Sequence, residues 1–143
     1  MVEASKKIQQ PQQRTGAIKV LVTDRIAQEG IDFLRTQLPD VQVDERFGLQ
    51  PDQLKAIIGD YTALIVRSET RVTSDILAAA SQMKIVGRAG VGVDNIDTEA
   101  ATRYGIMVVN SPTGNIVAAA EHTIAMLMTM ARQIPAANAS IKA

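Results

Sequence analysis

The 143-residue sequence contains no cysteine, which excludes disulfides, thiolate nucleophiles and cysteine-ligated zinc. It has one histidine, His122, so a histidine-rich metal site is excluded as well and no metal is expected. Neither charge sign is in surplus, because fifteen Lys and Arg stand against fifteen Asp and Glu. Such a chain has no global field to draw in nucleic acid or an anionic membrane surface, which leaves room only for a local anion site. No apolar run approaches the roughly 20 residues that a membrane span requires. What remains is ordinary globular composition, 46% apolar and 21% charged, in a chain long enough for one domain with a real core.

The first 17 residues, MVEASKKIQQPQQRTGA, are polar and rich in Gln and lack the apolar segment of a secretory signal. They carry one Arg, two Lys and one Glu, so they also lack the Arg-rich, acid-poor character of an organellar transit peptide. They read as a disordered extension, and with the missing cysteines the chain is expected in the cytoplasm.

From residue 18 onward the pattern alternates. The runs IKVLVTD (18–24), VQVDERF (41–47), ALIVRS (63–68), KIVGRAG (84–90) and IMVVN (106–110) are short, apolar and β-branched, as buried strands are. Between them lie helical spacings: 27–38, closed by Pro39; 51–60, opened by Pro51; 73–81, with Thr73 or Ser74 at its N-cap; and 98–104, stopped by Gly105. Strands that alternate with helices predict a parallel sheet, an α/β fold with helices on both faces and right-handed crossovers. Ligands of such sheets bind beyond the carboxyl ends of the strands. Those ends are Asp24, Phe47, Arg67-Ser68, the 88–90 stretch and Asn110-Ser111.

A last helix is predicted from about Asn115 to Ala131 or beyond, and it is apolar or small at nearly every position except Glu121, His122, Thr123 and Thr129. A helix apolar around most of its circumference must be buried on more than one side. The sheet domain is expected to cover one side, and a further domain or a partner subunit the rest.

Chemistry concentrates at three strand ends. Arg67 and Ser68, followed by Thr70 and Arg71, offer a guanidinium for two-point contact with a carboxylate or phosphate and hydroxyl donors beside it. The plainer reading pairs Arg67 with Glu69, and both stay open. The string GRAGVGVD (87–94) has its glycines in the order G-x-x-G-x-G, the mirror of the dinucleotide fingerprint, so a Rossmann pyrophosphate loop is rejected. Its Gly90, Val91 and Gly92 form either an anion-binding turn with exposed N–H groups or a tight turn that needs positive φ. In NSPTGN (110–115), Asn115 is the expected N-cap of the last helix, and the same helix end attracts anions. Glu121 and His122 are adjacent and point about 100° apart on a helix, so they are not an acid–base dyad. Asp94, Asn95 and Asp97 lack EF-hand spacing, and Asp97 is expected to cap the following helix.

Four motifs in this order, LIVRSETRVT (64–73), VGRAGVGVDNID (86–97), NSPTGN (110–115) and AEHT (120–123), resemble the D-isomer-specific 2-hydroxyacid dehydrogenases over residues 18–143. Within that family the wording is nearest to members that oxidise 3-phospho-D-glycerate with NAD. The resemblance implies a flavodoxin-like substrate-binding domain over 18–111, then over 112–143 a crossover and the first helix of a Rossmann cofactor domain of which the rest is missing. It implies that Arg67, Ser68, Gly90, Val91, Gly92 and Asn115 meet a small anionic substrate, 3-phosphoglycerate, with Val91 also touching the nicotinamide end of NAD. It implies a homo-oligomer assembled through the cofactor domain. The family's catalytic Arg, Glu and His and its dinucleotide fingerprint have no counterpart here, so no residue of this chain is expected to be catalytic and the chain alone is expected to be inactive. The alternatives are a sibling enzyme acting on glyoxylate, hydroxypyruvate or D-lactate, and a free-standing flavodoxin-like binding module.

Overall fold

The computed structural model describes residues 18–142. The extension expected over 1–17 lies outside the described residues. The strands are β1 (Ile18–Val22), β2 (Val41–Glu45), β3 (Ala63–Val66), β4 (Ile85–Arg88) and β5 (Met107–Asn110). All four pairings are parallel, in the order β2-β1-β3-β4-β5. This is the flavodoxin-like order expected from the sequence. Helices α1 (Gln28–Gln37), α2 (Pro51–Ile57), α3 (Ser74–Ala79) and α4 (Thr98–Arg103) connect the strands, and a 3-10 turn (Ile58–Asp60) tightens the end of α2. Pro51 opens α2 inside a capping box formed by Gln50 and Gln53. Gly105, at φ 67°, stops α4 in a conformation that a side chain would strain.

The strand order decides which helix covers which face. The chain steps from β1 to β2 in one direction, then from β2 across to β3, β4 and β5 in the other. Right-handed crossovers then set α1 on one face and α2, α3 and α4 on the opposite one. The packing agrees. Leu21, Leu64 and Val86 share one face and join Leu54, Ile58, Ile76, Leu77, Ala100 and Ala101 in a single core. On the other face Val20 and Val22 are buried, as is Ile31 of α1. Farther along that face Met107 is 62% exposed and Val109 is 40% exposed. One face is therefore closed, and the other is covered only near β1 and β2.

The chain after β5 departs from expectation. Helix α5 (Ile116–Ala131) forms as predicted, but Gln133, at φ 50°, breaks the helix and α6 (Ile134–Lys142) follows. No residue of α5 is buried, so the sheet domain does not cover one of its sides, contrary to the sequence reading. Its substantial packing is against α6 alone. Val117, Ile124, Leu127 and Met130 are each more than 60% exposed. The physical reason is direction: α5 leaves the sheet and does not turn back onto the face where Met107 and Val109 lie open.

Candidate functional site

A cleft of about 700 Å³ opens at the carboxyl ends of the strands. Arg67, Ser68, Gly90, Val91, Gly92 and Asn115 all line it, together with Arg88, Asp94, Ser111 and Ile26. The structure thus gathers around one space the six residues that the resemblance assigned to binding, whereas Thr70 and Arg71 border a separate, smaller cavity. Two of its walls are polypeptide loops, and each is fastened so that particular groups are left over.

The first wall is the 67–70 loop after β3. Asp24, which follows β1 and is only 1% exposed, accepts from the N–H of Arg67 at 2.7 Å, of Glu69 at 3.0 Å and of Thr70 at 3.1 Å. The Thr70 hydroxyl donates to the same carboxylate. Burial is the largest single influence on this carboxyl and pushes its pKa up. The hydroxyl and amide of Thr70 and the amides of Arg67 and Glu69 pull the other way and together outweigh it, so the pKa lies below the ordinary 3.8. On the carbonyl side, the Asn95 amide donates to Arg67 O at 2.9 Å and to Thr70 O at 2.6 Å. Among the described residues, Ser68 N–H has no protein acceptor, and the Arg67 guanidinium has neither an ion pair nor a hydrogen bond. The pairing of Arg67 with Glu69 is not formed.

The second wall is the 90–92 turn. Each of its carbonyls is taken: Gly90 O by Ser111 N–H at 3.0 Å, Val91 O by the Asn110 side chain at 2.5 Å, and Gly92 O by Arg88 Nη1 at 2.7 Å. No protein acceptor takes the N–H of Val91 or Gly92 among the described residues. A turn with its acceptors consumed and its donors open favours an anion. Neither Gly90 nor Gly92 has positive φ, so that reason for glycine is wrong here. The reason is room: a Cβ at Gly90 would lie 2.9 Å from Arg88 Nη1, and one at Gly92 would lie 2.8 Å from an Asp94 carboxylate oxygen.

Arg88 ties the two walls together. Its Nε donates to Asn95 Oδ1 at 2.8 Å and to Arg67 O at 3.2 Å, while Nη2 lies 3.4 Å from Asp94. Its side chain is 11% exposed. Sequence reasoning assigned no role to Arg88, Asn95 or Asn110, and it treated Asp24 only as a strand end. A signal existed for Asp24, because an acid that directly continues a buried apolar strand must find donors. No comparable signal marked the others: the carbonyls of Arg67, Thr70 and Val91 lie 19 to 28 residues from the side chains that donate to them.

At the helix ends, the sequence is half right. Asp97 caps α4, accepting from Ala100 N–H at 2.8 Å. Asn115 occupies the N-cap position of α5, but its side chain makes no capping bond and instead lines the cleft. Asp97→Ala should therefore cost about 1 kcal/mol of stability, whereas Asn115→Ala should cost no more than a few tenths. Urea unfolding of the two variants side by side checks this.

A doubly wound parallel sheet with a cleft at its carboxyl edge defines the class: an α/β domain of flavodoxin-like form. The family follows from comparison with known proteins. Residues 20–142 match the model of the D-isomer specific 2-hydroxyacid dehydrogenase catalytic domain, and the chain belongs to that family. It is 56% identical over 124 residues to the D-3-phosphoglycerate dehydrogenase of Synechocystis, covering 87% of this chain and 22% of that one. It is 49% identical to the D-3-phosphoglycerate dehydrogenase of Sus scrofa, covering 87% of this chain and 23% of that one. Among solved structures it resembles the cofactor (NAD+)-bound 3-phosphoglycerate dehydrogenase of Entamoeba histolytica, with TM-score 0.71 and 29% identity over 80% of this chain and 39% of that one. The chain thus spans less than a quarter of the length of these curated relatives. Among the described residues, no helix is long and apolar enough to cross a membrane.

Proposed function

We propose that this chain supplies the substrate-binding wall of an NAD-dependent D-3-phosphoglycerate dehydrogenase, in which 3-phospho-D-glycerate and NAD+ give 3-phosphohydroxypyruvate, NADH and a proton. The observation that carries the reading is the cleft itself. It pairs an unengaged guanidinium, Arg67, with a turn whose carbonyls are consumed and whose N–H groups are open. Arg67 and Ser68 grip one anionic end of the substrate through a two-point charged contact and a hydroxyl. The N–H groups of the 90–92 turn receive the other end, and Asn115 supplies a neutral side-chain amide. On this reading residues 18–111 are the substrate-binding domain, and 112–143 are the crossover and first helix of the cofactor domain.

The residues present fit the nicotinamide end of NAD and no more of it. Val91 is 41% exposed on the cleft and offers an apolar edge, while the glycines around it run in the wrong order for a pyrophosphate loop. The chemistry that bound NAD would supply is acceptance of a hydride from the hydroxyl-bearing carbon. The part played by this chain is to hold the substrate's charged ends so that this carbon faces Val91. On this reading the proton acceptor and the dinucleotide-binding loop lie outside residues 18–142, among which no His lines the cleft. The assembled protein is read as a cytoplasmic homo-oligomer joined through the cofactor domain.

The test is titration of the 143-residue chain with 3-phospho-D-glycerate, followed by amide NMR. Shifts are expected at Ser68, at the 90–92 turn and at Asn115. Arg67→Gln should weaken binding by about 10- to 100-fold, the worth of a charge-assisted two-point contact. Unphosphorylated D-glycerate should bind less well. Shifts confined to other residues, or equal affinity for D-lactate, would overturn the assignment, and NADH formation by the purified chain would overturn its inactivity.

A further inference from the structure

The 67–70 loop separates two cavities. On one side is the cleft, with Arg67 and Ser68; on the other is a smaller space of about 320 Å³, bordered by Asp24, Glu69 and Thr70. Asp24 therefore stands behind the loop and does not line the cleft. Its carboxylate takes three of the loop's four N–H groups and the Thr70 hydroxyl, and the N–H left over is that of Ser68. A loop of this shape cannot hold itself, because donors that converge on one point repel one another. A carboxylate accepts several such donors at once, having two oxygens and no hydrogen to present.

We infer that Asp24 is a positioning residue for anion binding, a buried acid whose charge is spent on organising the loop so that the Arg67 guanidinium and the Ser68 N–H and hydroxyl face the cleft. This inference rests on the reading of the cleft given above and names a residue which that reading does not contain. It has an unusual sign. A negative charge behind an anion site opposes binding by simple electrostatics, so removing it should tighten the complex if Asp24 were only a neighbouring charge. If Asp24 organises the loop, removing the charge loosens the complex. Asp24→Asn separates the two cases, because the amide keeps the size, drops the charge and turns an NH2 group toward the loop's own donors. Its depressed pKa agrees with a carboxylate stabilised by these donors.

Two readouts on the 143-residue chain test this. The first is affinity for 3-phospho-D-glycerate, by amide NMR, in the unsubstituted chain and in Arg67→Gln, Asp24→Asn, Thr70→Val and Thr70→Ser. The second is hydrogen exchange of the Arg67, Glu69 and Thr70 amides. Asp24→Asn should bind about tenfold more weakly, as when a charged contact is loosened. The same variant should lose exchange protection at those three amides, while Leu21 and Val86 in the core stay protected. Thr70→Val should weaken binding by a smaller factor, and Thr70→Ser should restore it. If Arg67→Gln loses binding but Asp24→Asn binds as tightly as the unsubstituted chain, or more tightly, the positioning role is overturned and the cleft reading survives. If the unsubstituted chain does not bind, the cleft reading falls, and the loop-holding role is judged by exchange alone: unprotected amides, or protection unchanged in Asp24→Asn, overturn it. If Asp24→Asn does not fold, the pair Thr70→Val and Thr70→Ser decides, and equal affinity of the two overturns it.

Discussion

Arg88→Leu is expected to destabilise the chain by about 2–3 kcal/mol and to lower its urea midpoint by roughly 1 M. The size follows from what the guanidinium does, taken contact by contact. The ion pair with Asp94 contributes little, because Asp94 is 82% exposed and such pairs are worth less than about 1 kcal/mol. The hydrogen bonds matter more. Nη1 satisfies Gly92 O, and Nε is shared between Asn95 Oδ1 and Arg67 O. A hydrogen bond to a charged donor is worth about 1.5–3 kcal/mol. The contributions do not simply add, since water reaches part of this site and refills some of the lost contacts. Leucine fills the space and offers no donor, so Asn95 loses the partner of its oxygen and the Gly92 carbonyl is released. Arg88→Lys should recover less than half of the loss, because an ammonium cannot reproduce the planar fork that serves both loops. The Arg67 and Asp94 sides of the cleft should separate together, and amide shifts at Gly90, Gly92 and Asn95 would record it. A cost below about 0.5 kcal/mol would mean that water replaces the guanidinium without penalty and that the two walls hold without it.

The fold was legible because periodicity reports burial. Runs such as IKVLV and ALIV lie in the sheet, and each predicted helix forms within a few residues of its expected ends. Pro51 and Gly105 act locally, through fixed φ and positive φ, so their effects could be read without knowledge of the fold. The cleft residues were legible for a different reason. A parallel sheet puts its strand ends on one edge, so Arg67, Gly90 and Asn110 had to be near one another once the order of elements was known. The fastening of the loops was not legible. Asp24 lies 43 residues before its nearest partner in the chain, Arg67, and Asn95 lies 28 residues after it. These bonds join side chains to backbone atoms, and a backbone atom leaves no mark in a sequence. The case of Asn115 shows the converse error. Residue type and position predicted a capping bond, yet the backbone at φ −132° and ψ 9° leaves the side chain without one.

The same logic of faces gives the largest expected loss of stability. Leu64→Ala should cost about 3–4 kcal/mol and lower the thermal midpoint by roughly 10 °C or more. Leu64 is 1% exposed on a central strand, between Leu21 of β1 and Val86 of β4, so truncation opens a cavity that neighbours on both sides are too constrained to fill. Met107→Ala, also on a strand, should cost no more than about 0.5 kcal/mol. Met107 pairs with Ile85, whose side chain points to the opposite face from Val86, and 62% of Met107 is exposed on a face that no helix covers there. The contrast therefore measures how far the second face of the sheet is covered in solution, with calorimetry of the two variants as the reading. A small loss at Met107 is what the fold described here requires. A loss at Met107 comparable to that at Leu64 would mean that α5, or another copy of the chain, lies down on the face left open by β5. The exposed apolar residues of α5 would then have found their cover on the sheet.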